Sequence, residues 1–475
     1  MGKIERPDPR QVSLARAMVR SARSTQLPLI SAAAQAKLKI CLLDFLSCAF
    51  EARELPWSRQ ALALAPRLTV GSTIIGSDVV TPPADAAFAN ATLGHGLVRE
   101  DMHAGSIAHH GVVLWPVLLA LAQREPVSGA QLLTATAVGY EVGGRVGRAL
   151  MTAELARLFR PTGLLGPLAG AVAGSVLLKL DEDAAVSALA LAANTSAGLN
   201  QWPHEGGSDM YFHPGFAARS AISAITLAQA GAYGSERILE GEAGLFAAIG
   251  RTRPPAAITL FPDGEEEILA VYNKPVPACN FAQTACQASI RVAEEIDSTD
   301  AIDSVTVHLP DAAIAYPGCD FAGPFERALQ AKMSIQYGVA AALVRKSITE
   351  DNYRRLDDPA VLRLARLIRL KRDADFTAAF PAAQGAEVEV GLSSGGRISR
   401  RVADVVAATE SEIRARFRAA ASAVVGTERA DAIEEMVDGL EREERAGRIA
   451  DLCASGSRNA KTRAQASRPG ARSRA

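Results

Sequence analysis

The chain is poor in aromatic residues, which make up 5% of its 475 residues, and neither charge is in excess, with 51 basic residues against 52 acidic ones. A net charge near zero removes the global field that would point to a nucleic acid or an anionic membrane surface as partner. Cysteine is scarce as well. The six thiols (41, 48, 279, 286, 319 and 453) form no CxxC pair and no framework spacing, which excludes a disulfide scaffold and a cysteine-based zinc site. The first residues carry no signal-peptide pattern, so free thiols in a reducing cytoplasm are expected. Long apolar runs are missing save one. Pro161 to Leu178 is uncharged for eighteen residues, roughly the minimum for a bilayer span. It contains Pro161, Pro167 and four glycines, and the part after Pro167 is too short to cross. A buried, tightly packed helix is expected there instead.

What the chain has is length and alanine. With 475 residues, 48% of them hydrophobic, it exceeds one ordinary core, and two domains are expected. Abundant alanine favours closely packed helices. Apolar residues recur at helical spacing over 10–24 and 33–51, and segments such as GVVLWPVLLALAQ and FAARSAISAITLAQAGA carry the same texture to residue 250. Near 270 the texture changes. NKPVPACN holds two prolines and is not helical, SVTVHLP (304–310) alternates as a strand does, and AEVEVGL-SSGG-RISRRVADV (386–405) reads as a hairpin. RALQAKMSIQYGVAAALVRKS (327–347) is expected to form one buried helix, and 409–450 returns to charged helix that packs back on the first domain or extends from it. The expected architecture is mainly α: a large helical domain over 1–269, completed by 405–454, and a smaller α+β lid over 270–404. Residues 455–475 have six basic and no acidic residues and read as a disordered, solvated tail.

Six of the seven histidines fall between 95 and 213. Histidine is the side chain best suited to proton transfer near neutral pH, and HGLVREDMHAGSIAHHGV (95–112) mixes four of them with Arg99, Glu100 and Asp101. Three readings fit this stretch. Asp101 and His103, with His109 or His110, perform acid–base chemistry on a small anion. Or Asp101, His103, His109 and His110 bind a metal, although their spacing matches no helical ligand pattern. Or the loop is polar, hydrogen-bonded and inert. His95 reads as structural. Arg160, ahead of Pro-Thr-Gly and a helix start, is placed to hold a carboxylate or phosphate together with free backbone N–H groups, or is an ordinary surface residue. His213 is either a site imidazole or a helix cap. Lysine is rare, with nine in the chain, so Lys274 in a proline-bounded apolar loop is a candidate carboxylate holder. Cys279 in the same loop is a nucleophile or a packing thiol.

In order along the chain, CLLDFLSCAF, FANATLGHGLVREDMH, HHGVVLWPVLLALA, GYEVGGRVGRAL, RPTGLLGPLAGAVAG, FHPGFAARSAISAITLAQAGAYGSERILEGEAGLF, NKPVPACNFAQTA and AKMSIQYGVAAAL resemble the MmgE/PrpD family over roughly 10–450. That family includes 2-methylcitrate dehydratase, cis-aconitate decarboxylase and iminodisuccinate epimerase. The resemblance implies a helical domain with an α+β lid, a homodimer, and no metal or organic cofactor. It also marks departures. The family often reads H-x-x-D-F-D-D-T where this chain has HGLVREDM: Asp101 keeps the last acid, while Val98 and Met102 replace the first Asp and the Thr. Arg160 stands for a common His, and Met210 for a common Lys three residues before His213. His109 and Lys274 are kept, and an imidazole of the Lys274 loop falls at Cys279 or Gln283. His103 and His110 are additional imidazoles. The expected function is a cofactor-independent lyase, a dehydratase or decarboxylase acting on a small carboxylic acid by proton abstraction next to a carboxylate. His109 or His103 (with His110 beside them) would be base or acid, Asp101 would orient an imidazole, and Arg160, His213, Lys274 and Cys279 would bind substrate. An epimerase or isomerase of a small dicarboxylate, or a non-catalytic acid-binding relative, are the alternatives. No nucleic-acid or membrane partner is expected.

Overall fold

The structure is a computed structural model and describes residues 12–456, so the expected basic tail lies almost wholly outside the described residues. The fold is mainly α, with one four-stranded sheet.

The helices of the first half, among them Ala32–Ala52, Pro83–His95, Gly111–Ala122, Gly129–Leu150, Pro161–Leu177 and His213–Gln229, close around one core of Ala, Leu, Val and Ile. The long uncharged run is the helix Pro161–Leu177, buried over nearly its whole length. Gly166, Gly170 and Gly174 recur every fourth residue, and positions four apart share a helix face. A Cβ at these three positions would stand 3.0, 2.8 and 2.4 Å from Ala217, Ala221 and Ile225 of the helix His213–Gln229. The glycine stripe therefore lets two backbones approach where larger residues would hold them apart. Among the described residues no helix is long and apolar enough to cross a membrane. The charged C-terminal helices pack back on this core. Glu410–Val425 starts at a capping box of Thr409 and Glu412, and it buries Ile413, Phe417 and Ala421, with the Phe417 ring 6.5 Å from Phe50.

A second core gathers the segment from Val276 to Val402. Its sheet has the order Ile368–Arg372, Ile302–Leu309, Ala386–Leu392, Arg397–Val402, with the first pair parallel and the others antiparallel. The predicted strand and hairpin are both present, and the hairpin turns through Ser393–Gly396, where Gly395 adopts φ +84°. The single helix expected over 327–347 is two helices, Ala328–Met333 and Ile335–Arg345. Ser334 breaks it: its hydroxyl accepts from the Tyr337 N–H (2.9 Å) as the cap of the second helix.

The smallest strands matter most for the site. Met102–His103 pairs antiparallel with Val271–Tyr272, Met102 opposite Tyr272 and His103 opposite Val271. This bridge draws the histidine-rich loop against the loop that begins at Asn273.

Candidate active site

An open depression of about 830 Å³ lies around Pro324, Arg354 and Arg366, and no imidazole lines it. The chemistry gathers elsewhere, in a small cavity lined by residues from both halves of the chain, with a free volume of about 30 Å³. That is room for about two waters. His109, Arg160, Lys274 and Cys279 line it, together with Val98, Met102, Ile107, Met210, Phe281 and Tyr316. Both Val98 (φ 59°) and Ile107 (φ 55°) are in the left-handed region. β-Branched residues avoid that region, and they hold it only where surrounding contacts compel them. Two buried ammonium groups supply that compulsion at Val98: Lys332 Nζ donates to the Leu97 carbonyl (3.0 Å) and Lys274 Nζ to the Val98 carbonyl (2.6 Å). Lys332 is itself paired with Glu350.

Glu100 is the hub, although the sequence reading favoured its neighbour Asp101. His95 Nδ1 lies 2.5 Å from Glu100 Oε1, and His109 Nδ1 lies 3.2 Å from the same oxygen and 2.8 Å from the Asp101 carbonyl. With Nδ1–H turned to these oxygens, the neutral His109 ring carries its lone pair on Nε2. His95 Nε2 accepts from Arg160 (3.2 Å), and the Arg160 guanidinium lies 5.6 Å from the Trp202 ring centre. The chain Arg160–His95–Glu100–His109 thus links a cation to an imidazole through an acid. His95, expected to be structural, is one of its two inner members. The sequence signal available for Glu100 was the adjacent acid pair Glu100–Asp101.

Burial sets the charges. It lowers the pKa of both His95 and His109, against the opposing pull of Glu100, so both rest neutral. Burial would raise Glu100, but His95, His109 and Lys274 outweigh it and hold the carboxyl well below its usual range. Burial pushes the Lys274 ammonium down to about 8, with Glu100 pulling the other way. Near neutral pH the centre holds one carboxylate and two cations, Lys274 and Arg160. It is therefore one negative charge short, the balance that an anionic ligand supplies.

The Lys274 loop is clamped from behind. Arg416 donates to the carbonyls of Lys274 (3.0 Å) and Pro275 (2.6 Å). Asn273 donates to Asp44 (2.8 Å) and accepts from Lys37 (2.6 Å).

The remaining candidates lie off the cavity. The Asp101 carboxylate accepts from Tyr140 (2.5 Å), and burial raises its pKa to about 7. Asp101 meets His109 through its backbone carbonyl, not its acid. His103 faces the other way: Nε2 lies 2.6 Å from Glu267 and Nδ1 2.8 Å from the Ser106 hydroxyl. His110 Nε2 lies 2.9 Å from the same hydroxyl, and burial pushes its pKa down to about 3. His103 and Asp101 therefore do not converge with His109 as a ligand set. The alternation of side chains along the short strand explains this, because Met102 faces the cavity and His103 its opposite side. His213 sits behind Arg160, across Gly198, whose φ of +117° and missing Cβ let the two approach. At the start of helix Pro161–Leu177, Thr162 accepts from the His109 N–H (3.1 Å), and neither Pro161 nor Thr162 lines the cavity. Arg160 reaches the cavity as a side-chain cation, not as part of a helix-terminus site.

These positions separate two kinds of imidazole. His103→Ala is expected to destabilise the fold by about 1–3 kcal/mol, the cost of breaking a buried polar network, while any turnover changes less than about tenfold. Thermal unfolding and steady-state rates on one preparation check this, and a large rate loss at unchanged stability would place His103 in the chemistry after all.

Comparison with known proteins identifies the family. The MmgE/PrpD N-terminal domain model matches residues 16–257, and the MmgE/PrpD C-terminal domain model matches 276–442. The cis-aconitate decarboxylase-like protein oryM of Aspergillus oryzae is 29% identical over 452 residues, covering 85% of this chain and 90% of that one. The cis-aconitate decarboxylase of Aspergillus terreus is 25% identical over 442 residues (86% and 89%), and that of Homo sapiens 27% over 392 (78% and 80%). With both family models matched along most of its length, and with the two parts meeting at the cavity, the chain belongs to the MmgE/PrpD family.

Proposed function

We propose that this protein is a cofactor-independent lyase that removes CO2 from a small unsaturated acid bearing fewer carboxylates than a tricarboxylate. One observation carries the reading. Four of the positions at which the chain departs from the family pattern, Val98, Met102, Arg160 and Met210, line the same cavity as the retained His109 and Lys274. Three of the four are apolar, so the site keeps His109 and Lys274 and gains the Arg160 cation, but loses polar groups that would meet further carboxylates.

In this reading Lys274 and Arg160 hold a carboxylate that stays. The leaving carboxylate lies against the Met102, Met210 and Val98 wall, where its charge is poorly solvated and its loss as neutral CO2 is favoured. As the carbon–carbon bond breaks, its electron pair moves onto the carbon skeleton, and His109, first protonated at Nε2 from solvent, delivers that proton there. The imidazolium needed for that step is stabilised by Glu100. Dehydration is the second reading. It would use neutral His109 as base, and it needs an acid for the departing hydroxyl, which the apolar wall does not offer. Carbon-13 NMR on a panel of unsaturated and hydroxylated di- and tricarboxylates tests this. Loss of one carbon as CO2, recovered as bicarbonate, with one solvent hydrogen fixed on the carbon of the product supports decarboxylation. Release of water alone, or a product isomeric with its substrate, overturns it.

Lys274→Ala should raise KM by roughly tenfold to a hundredfold, the worth of one charged hydrogen bond, with a smaller fall in kcat. Because the free-enzyme ammonium titrates near 8, kcat/KM should fall as pH rises through that value. Lys274→Arg, which stays charged, should recover part of the affinity and lose that alkaline limb. A pH–rate profile unchanged by Lys274→Arg would remove Lys274 from substrate binding.

A further inference from the structure

Of the six cysteines, two are in contact. Cys279 Sγ and Cys319 Sγ lie 3.6 Å apart, both buried. Cys279 faces the cavity, and Cys319 sits directly behind it, fully enclosed. Nothing in the proposed reaction uses either thiol. Both belong to segments that furnish the same wall. Cys279 closes the loop that carries Lys274, and Cys319 ends the turn that begins at Tyr316, which also lines the cavity. Each segment is tied to the second core by a backbone hydrogen bond: Cys279 N–H to the Lys332 carbonyl (2.8 Å), and Ile335 N–H to the Cys319 carbonyl (2.9 Å).

We propose that Cys279 and Cys319 form a reversible disulfide when a peroxide enters the cavity, and that this bond shuts the enzyme off. The Cys279 thiolate attacks the peroxide O–O bond, forming the sulfenic acid and releasing water. The Cys319 thiol then displaces hydroxide from that sulfur as a second water, so that two thiols are oxidised and one peroxide is reduced. Geometry favours this pair. A cavity of about 30 Å³ admits a molecule of peroxide size, and only a short movement separates sulfurs already in contact from bonding distance. Charge favours it too. The hydrogen bond from Cys319 lowers Cys279 to about 7 against the opposing effect of burial, with Lys274 and Arg160 adding to the shift, and the thiolate is the reactive form. Burial pushes Cys41 and Cys286 the other way, to about 12. The consequence for turnover rests on the cavity being the active site. It holds too little space for a dicarboxylic acid, so its wall must yield when substrate enters, and a bond between the two segments stiffens that wall.

The test uses the full chain with hydrogen peroxide, read by intact mass, peptide mapping and rate. Expected are the loss of two hydrogens, a crosslinked Cys279–Cys319 peptide, loss of most activity, and recovery of both mass and activity with dithiothreitol. Cys319→Ser, outside the cavity, should match the unmodified protein before peroxide and show no dithiothreitol-reversible crosslink after it. The mass readout needs no turnover, so it stands apart from the reading of the active site. If both thiols remain alkylatable after peroxide, or oxygen is added at Cys279 without a crosslink, the bond does not form. If the crosslink forms and the rate is unchanged, it is not a switch. Either result overturns the proposal.

Discussion

His109→Ala is expected to lower kcat by roughly 10²–10⁴-fold, the range for loss of a positioned proton-transfer group, with little change in melting temperature. Its ring is packed at the cavity edge and bonded through Nδ1 alone, to the Asp101 carbonyl (2.8 Å) and near Glu100. Truncation therefore removes the Nε2 lone pair while leaving the Glu100–His95 pair and the Lys274–Val98 bond in place. His109→Gln keeps much of the volume and one amide donor but cannot accept and return a proton, so it should be nearly as slow as Ala. Substrate affinity should hold in both, because the carboxylate contacts belong to Lys274 and Arg160. Single-turnover rates with circular dichroism melts decide the matter. A protein that unfolds, or one whose KM alone changes, would assign His109 a structural or binding role instead.

The second large effect belongs to Glu100. Glu100→Gln should lower kcat by roughly 10²–10³-fold, as loss of a preorganised charge does, and it should destabilise the fold as well. The carboxylate is buried, 1% exposed, and it is the negative charge set among His95, His109 and Lys274. Neutralising it leaves two buried cations without compensation and removes the charge that favours an imidazolium at His109. The sign is definite. Without Glu100 the pKa of His109, already lowered by burial, falls further, so the protonated ring needed to deliver a proton becomes rarer at every pH. Histidine NMR titration should show both His95 and His109 shifted to lower pH, and any acidic limb of the rate profile should move the same way. An unchanged rate in Glu100→Gln would sink the proposed role of the Arg160–His95–Glu100–His109 chain. Asp101→Asn serves as the contrast. Its carboxyl faces Tyr140, so that variant should keep the histidine titrations and alter stability.

Local patterns announced much of this protein. Alanine-rich helical periodicity and the change of texture near 270 foretold a mainly α fold with a small sheet. The hairpin at 386–402 followed from alternation around a Ser/Gly turn, and the uncharged run resolved into a helix packed through its glycines. All of these depend on neighbours in the chain, which is why they can be read one segment at a time. The ordered series of motifs likewise pointed to the family, and the histidine-rich loop and Lys274 to the region of the candidate site.

Which side chains of that loop share the cavity was decided only in three dimensions. Asp101 and Glu100 are adjacent in sequence and of the same chemical kind, yet one turns to Tyr140 and the other to His95 and His109. His103 and His109 are equally plausible bases on composition, yet the pairing of Met102–His103 with Val271–Tyr272 turns His103 toward Glu267. A two-residue strand has no period to detect, and its partner lies in a distant segment, so its register is set by the packing of the two cores. Lys332, Arg416 and Asn273 hold the site loops through backbone carbonyls and buried acids, contacts that leave no local signature. The sequence by itself determined the helical texture, the family and the inventory of reactive groups, because these rest on residue type and short spacing. Only the tertiary structure decided that Glu100 and His95 join His109 while His103, His110 and the Asp101 carboxylate do not, because side-chain direction follows from long-range pairing and from the left-handed turns at Val98 and Ile107.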